Sequence, residues 1–249
     1  RGNLGIRCVI MLIKSFGAGP WQTNCYVIAP SANSECIIID PGLGSAPGIK
    51  EIIAEHNLKP IATMLTHGHI DHMWSIFPVA TGYGIPAYIH GSDRFLLNDP
   101  GAGVSVETKN ALMEMMATDD VFAEPEDTRE VTDQMTMDLA GLKFTVLHAP
   151  GHTQGSILFD FAGDVNHVFT GDVLFAGAIG RTDLPTGSAK EMGETLRKKV
   201  IPLADHLEVL PGHGPRTTMA QEKKSNPYLK SLVGKIGFEP IEPKRQIYS

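Results

Sequence analysis

Cysteine is scarce in this 249-residue sequence, which contains only Cys8, Cys25 and Cys36. An odd number of cysteines without framework spacing argues against a small secreted fold held together by disulfides. Cys25 and Cys36 stand in apolar, strand-like runs, CYVIAP and CIIID. We therefore expect reduced cysteines and a cytoplasmic location.

Long apolar runs are also missing. No stretch approaches the roughly 18 residues that a membrane-spanning helix requires, and CVIMLI near the start is too short and lacks a small-residue cleavage site after it. We expect neither a membrane span nor export. Met11 opens a strand-like run, MLIKSF, so we interpret residues 1–10 as an added or upstream extension outside the fold.

Positive charge is the third scarcity. The sequence has 21 lysines and arginines against 28 aspartates and glutamates, a net charge of −7. Its basic residues occur in scattered pairs such as Lys198-Lys199 and Lys223-Lys224. Such a surface would repel a phosphate backbone, so we do not expect a nucleic-acid partner.

Short apolar, β-branched runs with turn residues between them predict the strands of a buried sheet. These runs are residues 25–28, 36–39, 61–65, 87–89, 142–147, 157–161, 168–170 and 207–210. Helical patterns cover residues 45–55, with Ser45 as the expected cap, and residues 188–200. Because no linker divides the chain, we predict one α/β domain over residues 11–232 and a C-terminal tail over residues 233–249.

The connection over residues 98–134 contains a helix-like stretch, ETKNALMEMMA, and an acidic loop, EPEDTRE. So long a connection over a compact fold can cover a functional site. The alternative, which we favour, is that Leu112, Met113 and Met116 pack on the core and that the acidic loop is solvated surface.

Ligand-type side chains follow four of the strand-like runs. They are His67, His69, Asp71 and His72 in THGHIDH, His152 in PGH, Asp172 in TGD, and His213 in PGHGP. Ligands gather outside the carboxyl ends of strands in open α/β sheets, so the four strand ends are predicted to converge on one site.

Imidazole and carboxylate ligands without a thiolate suit zinc, iron or manganese. Seven such ligands exceed what one ion with an open position would use, so we predict two divalent metal ions, with zinc ahead of iron or manganese. Alternation along the loop places His67 and His69 on the same side. The predicted ligands are His67, His69 and His152 for metal one, Asp71, His72 and His213 for metal two, and Asp172 as the bridge.

Three further residues are candidates near this site. Asp40, which closes CIIIDPG, is predicted to hold a ligand histidine in one tautomer, with turn capping as the alternative. Arg181 and Asp183 either shape the substrate entrance or form a structural ion pair. The remaining histidines are expected to be structural: His56, His90, His148, His167 and His206.

Together, THGHIDH, PGH, TGD and PGHGP resemble the metallo-β-lactamase-fold hydrolases, over about residues 11–232. The resemblance implies a four-layer αββα sandwich, in which two mixed β-sheets flanked by helices carry the site at one edge between them. The segments GRTDLPTGS (180–188) and GHGPRTTMAQEKKSNPYL (212–229) are similar to the glyoxalase II group, which cleaves hydroxyacylglutathione thioesters. The implied reaction is cleavage of S-lactoylglutathione or a related acyl-thiol by a metal-bridging hydroxide that Asp71 or Asp172 orients.

The sequence also departs from relatives of this fold. Larger glyoxalase II enzymes append a helical domain that grips glutathione, whereas only a short segment follows His213 here. The resemblance is therefore to short bacterial glyoxalase II-like proteins, and the thiol carrier stays open, as does the oligomeric state. Class B β-lactamases often place cysteine where Asp172 stands and lack a histidine equivalent to His72, so antibiotic hydrolysis is not expected.

Two alternatives remain. In a persulfide dioxygenase of the same fold, His67, His152 and Asp172 would hold a single Fe(II). Such enzymes also contain GRTD but tend to carry a cysteine before it, where this chain has AGA at residues 176–178. The other alternative is a non-catalytic metal-binding scaffold, against which the complete ligand set argues.

Overall fold

The computed structural model describes residues 11–115, 122–161 and 166–232, with the backbone alone for residues 111–115. The predicted terminal segments, residues 1–10 and 233–249, lie outside the described residues. So do Met116 and the side chains of Leu112 and Met113, so their predicted packing stays a prediction.

The first half of the chain forms a six-stranded sheet in chain order. Its strands are β1 (Leu12–Ala18), β2 (Thr23–Ala29), β3 (Glu35–Ile39), β4 (Lys59–Met64), β5 (Ala87–His90) and β6 (Thr128–Val131). The pairs β1–β2 and β2–β3 are antiparallel, and β3 to β6 are parallel. This sheet is therefore mixed.

The second half forms another six-stranded sheet, ordered β12-β11-β10-β9-β8-β7. Its strands are β7 (Thr136–Leu139), β8 (Leu142–His148), β9 (Ile157–Asp160), β10 (His167–Gly171), β11 (Glu208–Pro211) and β12 (Thr217–Thr218). Only β10 and β11 pair in parallel. All eight strands predicted from apolar runs are present, within two residues at their ends.

Seven α-helices connect or flank the strands in the described residues. They are α1 (Ala46–His56), α2 (Ile70–Met73), α3 (Ile76–Tyr83), α4 (Val106–Met115), α5 (Ala189–Thr195), α6 (Met219–Ser225) and α7 (Pro227–Leu232). The two predicted helical patterns are found, the second continuing from α5 into a π-helical turn, Leu196–Val200, and the helix-like stretch ETKNALMEMMA begins within α4. Ser45 stands at the N-cap of α1, but its hydroxyl makes no capping hydrogen bond. Ser188 does cap α5, by accepting from the backbone N–H of Glu191.

Side chains alternate between the two faces of each strand. Each sheet therefore packs against the other sheet on one face and against helices on the opposite face, which gives four layers. In β3, Ile37 and Ile39 face the second sheet, whereas Cys36 and Ile38 pack with Ile49 of α1 on the outer face. In the second sheet, Phe159 points inward, and Leu158 packs outward in a cluster with residues of α5, α6 and α7. The expected αββα sandwich is confirmed.

Aromatic side chains fill much of the space between the sheets. Tyr26 of β2 meets Phe169 of β10 edge to face, with ring centroids 5.1 Å apart. Phe144 and Phe161 stack at 4.6 Å within the second sheet. Truncation of a fully buried phenylalanine costs about 3–5 kcal/mol. The contact between Tyr26 and Phe169 packs the two sheets against each other.

Backbone hydrogen bonds also join the two sheets at the edge where the ligand-bearing strands end. The amide of Ile157 donates to the carbonyl of Thr66 at 2.9 Å, and the amide of Asn24 donates to the carbonyl of Gly212 at 2.7 Å. These bonds tie the loop after β4 to β9 and the start of β2 to the loop after β11. Among the described residues, no helix is long and apolar enough to span a bilayer.

Candidate metal centre

The seven predicted ligands come together at this edge. His67 and His69 follow β4, and His69 stands at the N-cap of α2, whose first turn carries Asp71 and His72. His152 lies in the turn between β8 and β9, Asp172 follows β10 directly, and His213 follows β11. All are buried except Asp71 and His213, which are half-buried.

The side chains form two groups of the predicted composition. One group is His67, His69 and His152, and the other is Asp71, His72 and His213. Within each group, one nitrogen or oxygen atom per residue lies within 4.8 Å of the others. A third combination, His67, His72 and Asp172, overlaps both groups.

Asp172 lies between the two groups. Its Oδ2 atom is 3.5 Å from Nε2 of His152 in the first group and 3.5 Å from Nε2 of His213 in the second. Its Oδ1 atom is 3.2 Å from Nε2 of His72. This is the position expected of a carboxylate that bridges two ions.

Neighbouring acceptors fix the tautomers of four histidines. Nδ1 of His72 donates to Oδ2 of Asp40 at 2.9 Å, and Nδ1 of His67 donates to the Thr66 hydroxyl at 3.1 Å, which itself donates to Asp40 at 2.7 Å. Nδ1 of His152 donates to the carbonyl of Arg181 at 2.8 Å, and Nδ1 of His213 to that of Trp21 at 3.1 Å. When these rings are neutral, this arrangement leaves the Nε2 lone pair of each available for a metal.

Unsatisfied polar atoms show that this site fits a metal. Nε2 of His67 is buried and makes no hydrogen bond within the described residues, and the buried Oδ1 of Asp172 faces Nε2 of His72 at 3.2 Å. Nδ1 of His69 lies 2.8 Å from Nε2 of His152, whose proton is on its other nitrogen. Buried polar groups left without partners are costly, and a divalent ion would satisfy this set of nitrogens and oxygens together.

The electrostatics of the first group favour neutral imidazoles. Burial lowers the pKa of His69 to about 3, with a further contribution from His152. Burial also lowers the pKa of His67 well below its ordinary value and lowers that of His152. Neutral imidazole is the form that binds a metal, so this group is ready to do so at pH 7.

The second group is an ion-pair network in the absence of metal. Burial lowers the pKa of His72, but Asp71 and Asp172 outweigh it and raise that pKa well above its ordinary value. The pKa of His213 is likewise raised, by Asp172 and Asp71 against the effect of burial. Burial raises the pKa values of the two carboxyl groups, but the histidines outweigh it and lower them, so both are ionised.

Asp93 is a site residue that the sequence analysis missed. This buried aspartate lies in the 3₁₀ segment Gly91–Leu97. It accepts hydrogen bonds from the amides of Gly68 and Gly155 and from the hydroxyl of Thr153. In the sequence Asp93 is followed by Arg94 and then by the apolar run FLL, and this pattern does not mark a buried carboxylate. Burial raises its pKa, although the three donors oppose the shift.

Arg181 and Asp183 form an exposed bidentate ion pair, with Nε–Oδ1 and Nη2–Oδ2 distances of 2.7 and 2.9 Å. The structure therefore contains the ion pair that was one of the two alternatives, of a type that contributes about 0–1 kcal/mol, and the role at the substrate entrance stays a prediction. The carbonyl of Arg181, which binds His152, is its direct link to the site. None of the five histidines predicted to be structural belongs to the ligand groups among the described residues.

Comparison with known proteins identifies relatives over most of the chain. The family model of the metallo-beta-lactamase superfamily matches residues 18–213. An uncharacterized protein of Mycobacterium leprae is 43% identical over 223 residues, which cover 89% of this chain and 100% of that protein. The hydroxyacylglutathione hydrolase GloC of Haemophilus influenzae is 34% identical over 222 residues, which cover 89% of this chain and 99% of GloC.

Solved structures show the same architecture. The crystal structure of BLEG-1 B3 metallo-beta-lactamase matches with a TM-score of 0.76 and 33% identity, covering 88% of this chain and 99% of that chain. That of TTHA1623 in a di-iron-bound form has a TM-score of 0.71 and 32% identity, with 87% and 100% coverage. ETHE1 from Myxococcus xanthus, with a TM-score of 0.68, 23% identity and 92% and 93% coverage, shows likeness of fold alone.

Proposed function

The chain belongs to the metallo-beta-lactamase superfamily, and we propose that it is a dinuclear metal-dependent hydrolase that cleaves the thioester of S-lactoylglutathione or a related acyl-thiol. One observation carries the proposal. Two complete three-residue ligand groups lie on either side of Asp172, whose Oδ2 atom is 3.5 Å from a histidine of each group.

The proposed metal is zinc, with iron or manganese as the alternatives, because the ligands are imidazoles and carboxylates. Two such ions would lower the pKa of a water molecule from about 16 to around 7 and stabilise negative charge on a carbonyl oxygen. The di-iron form of TTHA1623, which is 32% identical, supports testing iron alongside zinc.

The two aspartates are the proposed catalytic residues. Oδ1 of Asp172 is buried and lies 3.2 Å from Nε2 of His72, and its remaining lone pair can accept a hydrogen bond from the attacking water. Oδ2 of Asp71 accepts from the Thr23 hydroxyl at 3.0 Å, which fixes the orientation of that carboxylate. Both carboxyl groups have lowered pKa values and are ionised at neutral pH, as this role requires.

A thioester suits a site whose central side chains are all ligands. Water adds to the carbonyl carbon, the C–S bond breaks, and a carboxylic acid and a thiol are released. A thiolate with a pKa near 8.5 leaves readily, so the reaction depends less on a general acid than amide cleavage does. The 34% identity to GloC over nearly its whole length supports the same substrate class.

We also propose that the protein acts on a small-molecule acyl-thiol, has no nucleic-acid or membrane partner, and is located in the cytoplasm. The net charge of −7 supports the exclusion of nucleic acid. Among the described residues, buried Cys25 and Cys36 are free, which supports a reducing compartment.

Two other reactions are tested alongside thioester cleavage. The persulfide dioxygenase is the second candidate, with His67, His152 and Asp172 as the two-histidine, one-carboxylate set that would hold Fe(II): His67 and His152 belong to one group, and Oδ2 of Asp172 lies 3.5 Å from Nε2 of His152. β-Lactam hydrolysis was not expected from Asp172 and His72, but BLEG-1, named a B3 metallo-beta-lactamase, is 33% identical.

The test uses the full chain stripped of metal and reloaded separately with Zn(II) and Fe(II). Metal content is measured with S-lactoylglutathione cleavage under air and under nitrogen, oxygen uptake with glutathione persulfide, and hydrolysis of a chromogenic cephalosporin. We expect about two ions per chain and thioester cleavage that does not depend on oxygen. Persulfide-dependent oxygen uptake or β-lactam hydrolysis without thioester cleavage would replace the proposal, and no metal uptake would end it.

A further inference from the structure

Asp93 joins two ligand-bearing loops without contributing a ligand of its own. Its Oδ2 atom accepts from the amide of Gly68 at 2.8 Å and from the hydroxyl of Thr153 at 2.6 Å. Gly68 lies between His67 and His69, and Thr153 directly follows His152. One carboxylate oxygen therefore bonds to both loops that supply the first ligand group.

The second carboxylate oxygen extends the same link. Oδ1 of Asp93 accepts from the amide of Gly155 at 2.7 Å. The side chain is fully buried, and all three of these donors are neutral. A carboxylate has enough lone pairs to accept all three bonds, whereas an asparagine would turn its NH₂ group towards one or more donors.

The loop between β8 and β9 is shaped to receive this carboxylate. A Cβ atom added to Gly155 would lie 2.4 Å from Cγ of Asp93, so only glycine lets the backbone approach this closely. The hydroxyls of Thr153 and Ser156 lie 2.8 Å apart, and Ser156 also accepts from the amide of Thr153 at 3.1 Å. The turn that carries His152 is thus bonded internally and held through Asp93.

We propose that Asp93 is the positioning residue of the first metal group: it sets the spacing between the loop of His67 and His69 and the loop of His152, so that the three rings can bind one ion. The inference rests on the proposed dinuclear function. Its physical basis is that a buried carboxylate bonded to rigid backbone donors admits little movement, and that loss of such outer partners weakens metal binding by about 10- to 100-fold.

The experiment compares Asp93→Asn, Gly155→Ala and Thr153→Val with the parent protein, all as the full chain. Asp138→Asn is the matched control, because Asp138 is an exposed carboxylate on β7. Each protein is stripped of metal and titrated with Zn(II) against a competing chelator, and Tm is recorded with and without metal. His152→Ala lacks a ligand of the first group and His213→Ala lacks a ligand of the second. Their Co(II) spectra serve as references that identify which ion another variant has lost.

We expect Asp93→Asn and Gly155→Ala to bind the ion of the first group about 10- to 100-fold more weakly, while the second ion binds as in the parent. The rise in Tm on metal loading should shrink in these variants and stay unchanged in Asp138→Asn. Thr153→Val keeps the size of the side chain and removes one donor, so a smaller weakening is expected. If Asp93→Asn and Gly155→Ala fail to fold, the metal affinity of Thr153→Val decides the test.

Equal weakening of both ions with a lowered metal-free Tm would mean a purely structural role and overturn the inference. Unchanged metal affinities in a folded Asp93→Asn variant would also overturn the inference. If the parent protein still binds two ions in that case, the proposed function stands. If the parent protein itself binds no metal, the proposed function fails first and this inference fails with it.

Discussion

Asp40 accepts a hydrogen bond from Nδ1 of His72 at 2.9 Å, and its own backbone is left-handed, with φ of 51°. The same carboxylate accepts from the Thr66 hydroxyl at 2.7 Å, and that hydroxyl accepts from His67. One carboxylate therefore orients a ligand in each metal group, directly in the second group and through a hydroxyl in the first.

Asp40→Asn is expected to weaken metal binding at both groups and to lower thioester cleavage by about 10- to 100-fold. Asparagine tolerates the left-handed conformation, so the backbone should be unaffected, whereas Asp40→Ala would add about 1–2 kcal/mol of strain. Chelator titration and turnover measure the effect, with Asp138→Asn as the control. A folded Asp40→Asn protein with parental affinities would show that Asp40 acts only on the turn.

The two metal groups should differ in their response to pH. The pKa of His72 is raised well above its ordinary value and that of His213 is also raised, so protons must be displaced from the second group at a higher pH than from the first. In the first group the pKa values of the histidines are lowered, to about 3 for His69. Protons therefore compete with the metal there only at pH values below the ordinary histidine pKa. As pH falls from about 8 to 6, the second ion should therefore be lost first.

Calorimetric metal titrations in buffers of different ionisation enthalpy measure this directly. Uptake of the second ion should release protons at pH 7, and its affinity should fall about tenfold per pH unit for each proton displaced. Uptake of the first ion should release few protons. The reverse order of loss would contradict the electrostatic difference between the groups.

Gly212 lies against the centre of the site. An added Cβ atom would be 2.1 Å from Oδ1 of Asp172 and 2.6 Å from Cε1 of His72. Gly212→Ala must therefore displace at least one of these side chains, and turnover should fall by about 100-fold, as expected for a misplacement near 1 Å. Metal analysis should show incomplete loading while circular dichroism remains parental.

Gly82→Ala is the matched control. Gly82 lies in α3, is exposed, and has no atom within 4 Å of an added Cβ. Because alanine favours the helix and restricts the unfolded chain, this change should raise stability by about 0.4–1 kcal/mol without affecting turnover. If both variants behave alike, the close approach at Gly212 is not what the site requires.

The strands and the clustering of the candidate ligands could be predicted because their signals are local. Buried strands such as β3 and β10 appear as apolar runs, and a ligand directly after such a run must lie at the sheet edge. β6, β7 and β12 were not predicted because they are short and carry exposed polar residues. The four-residue helix α2 is too short to show a period.

The partners of the ligands were harder to predict, for a different reason. The carbonyls of Arg181 and Trp21 bind His152 and His213, but any residue type supplies a backbone carbonyl, so no sequence signal marks them. Asp93 is 25 or more residues from the groups it binds, and only the packing of the 3₁₀ segment against both loops brings them together. Asp40 could be predicted because it directly ends a buried strand.

Thioester hydrolysis and persulfide oxidation can be distinguished by the ligands that only the hydrolysis needs. In a dinuclear hydrolase, His152→Ala and His213→Ala each remove one ligand group, so each should lower thioester cleavage by about 100-fold or more. Asp172→Ala should lower the affinity for both ions, because its carboxylate lies 3.5 Å from a histidine of each group. Cleavage is measured under nitrogen, with metal content determined in parallel.

The same three proteins behave differently if a single Fe(II) carries the activity. Persulfide-dependent oxygen uptake would then be lost in His152→Ala and Asp172→Ala but largely kept in His213→Ala, because His213 belongs to the group that such an enzyme leaves unused. Hydrolysis takes its oxygen from water, so cleavage that persists under nitrogen and is lost in His213→Ala requires the second group. Persulfide-dependent oxygen uptake that His213→Ala retains in full, without thioester cleavage in the parent protein, would therefore transfer the assignment to the dioxygenase.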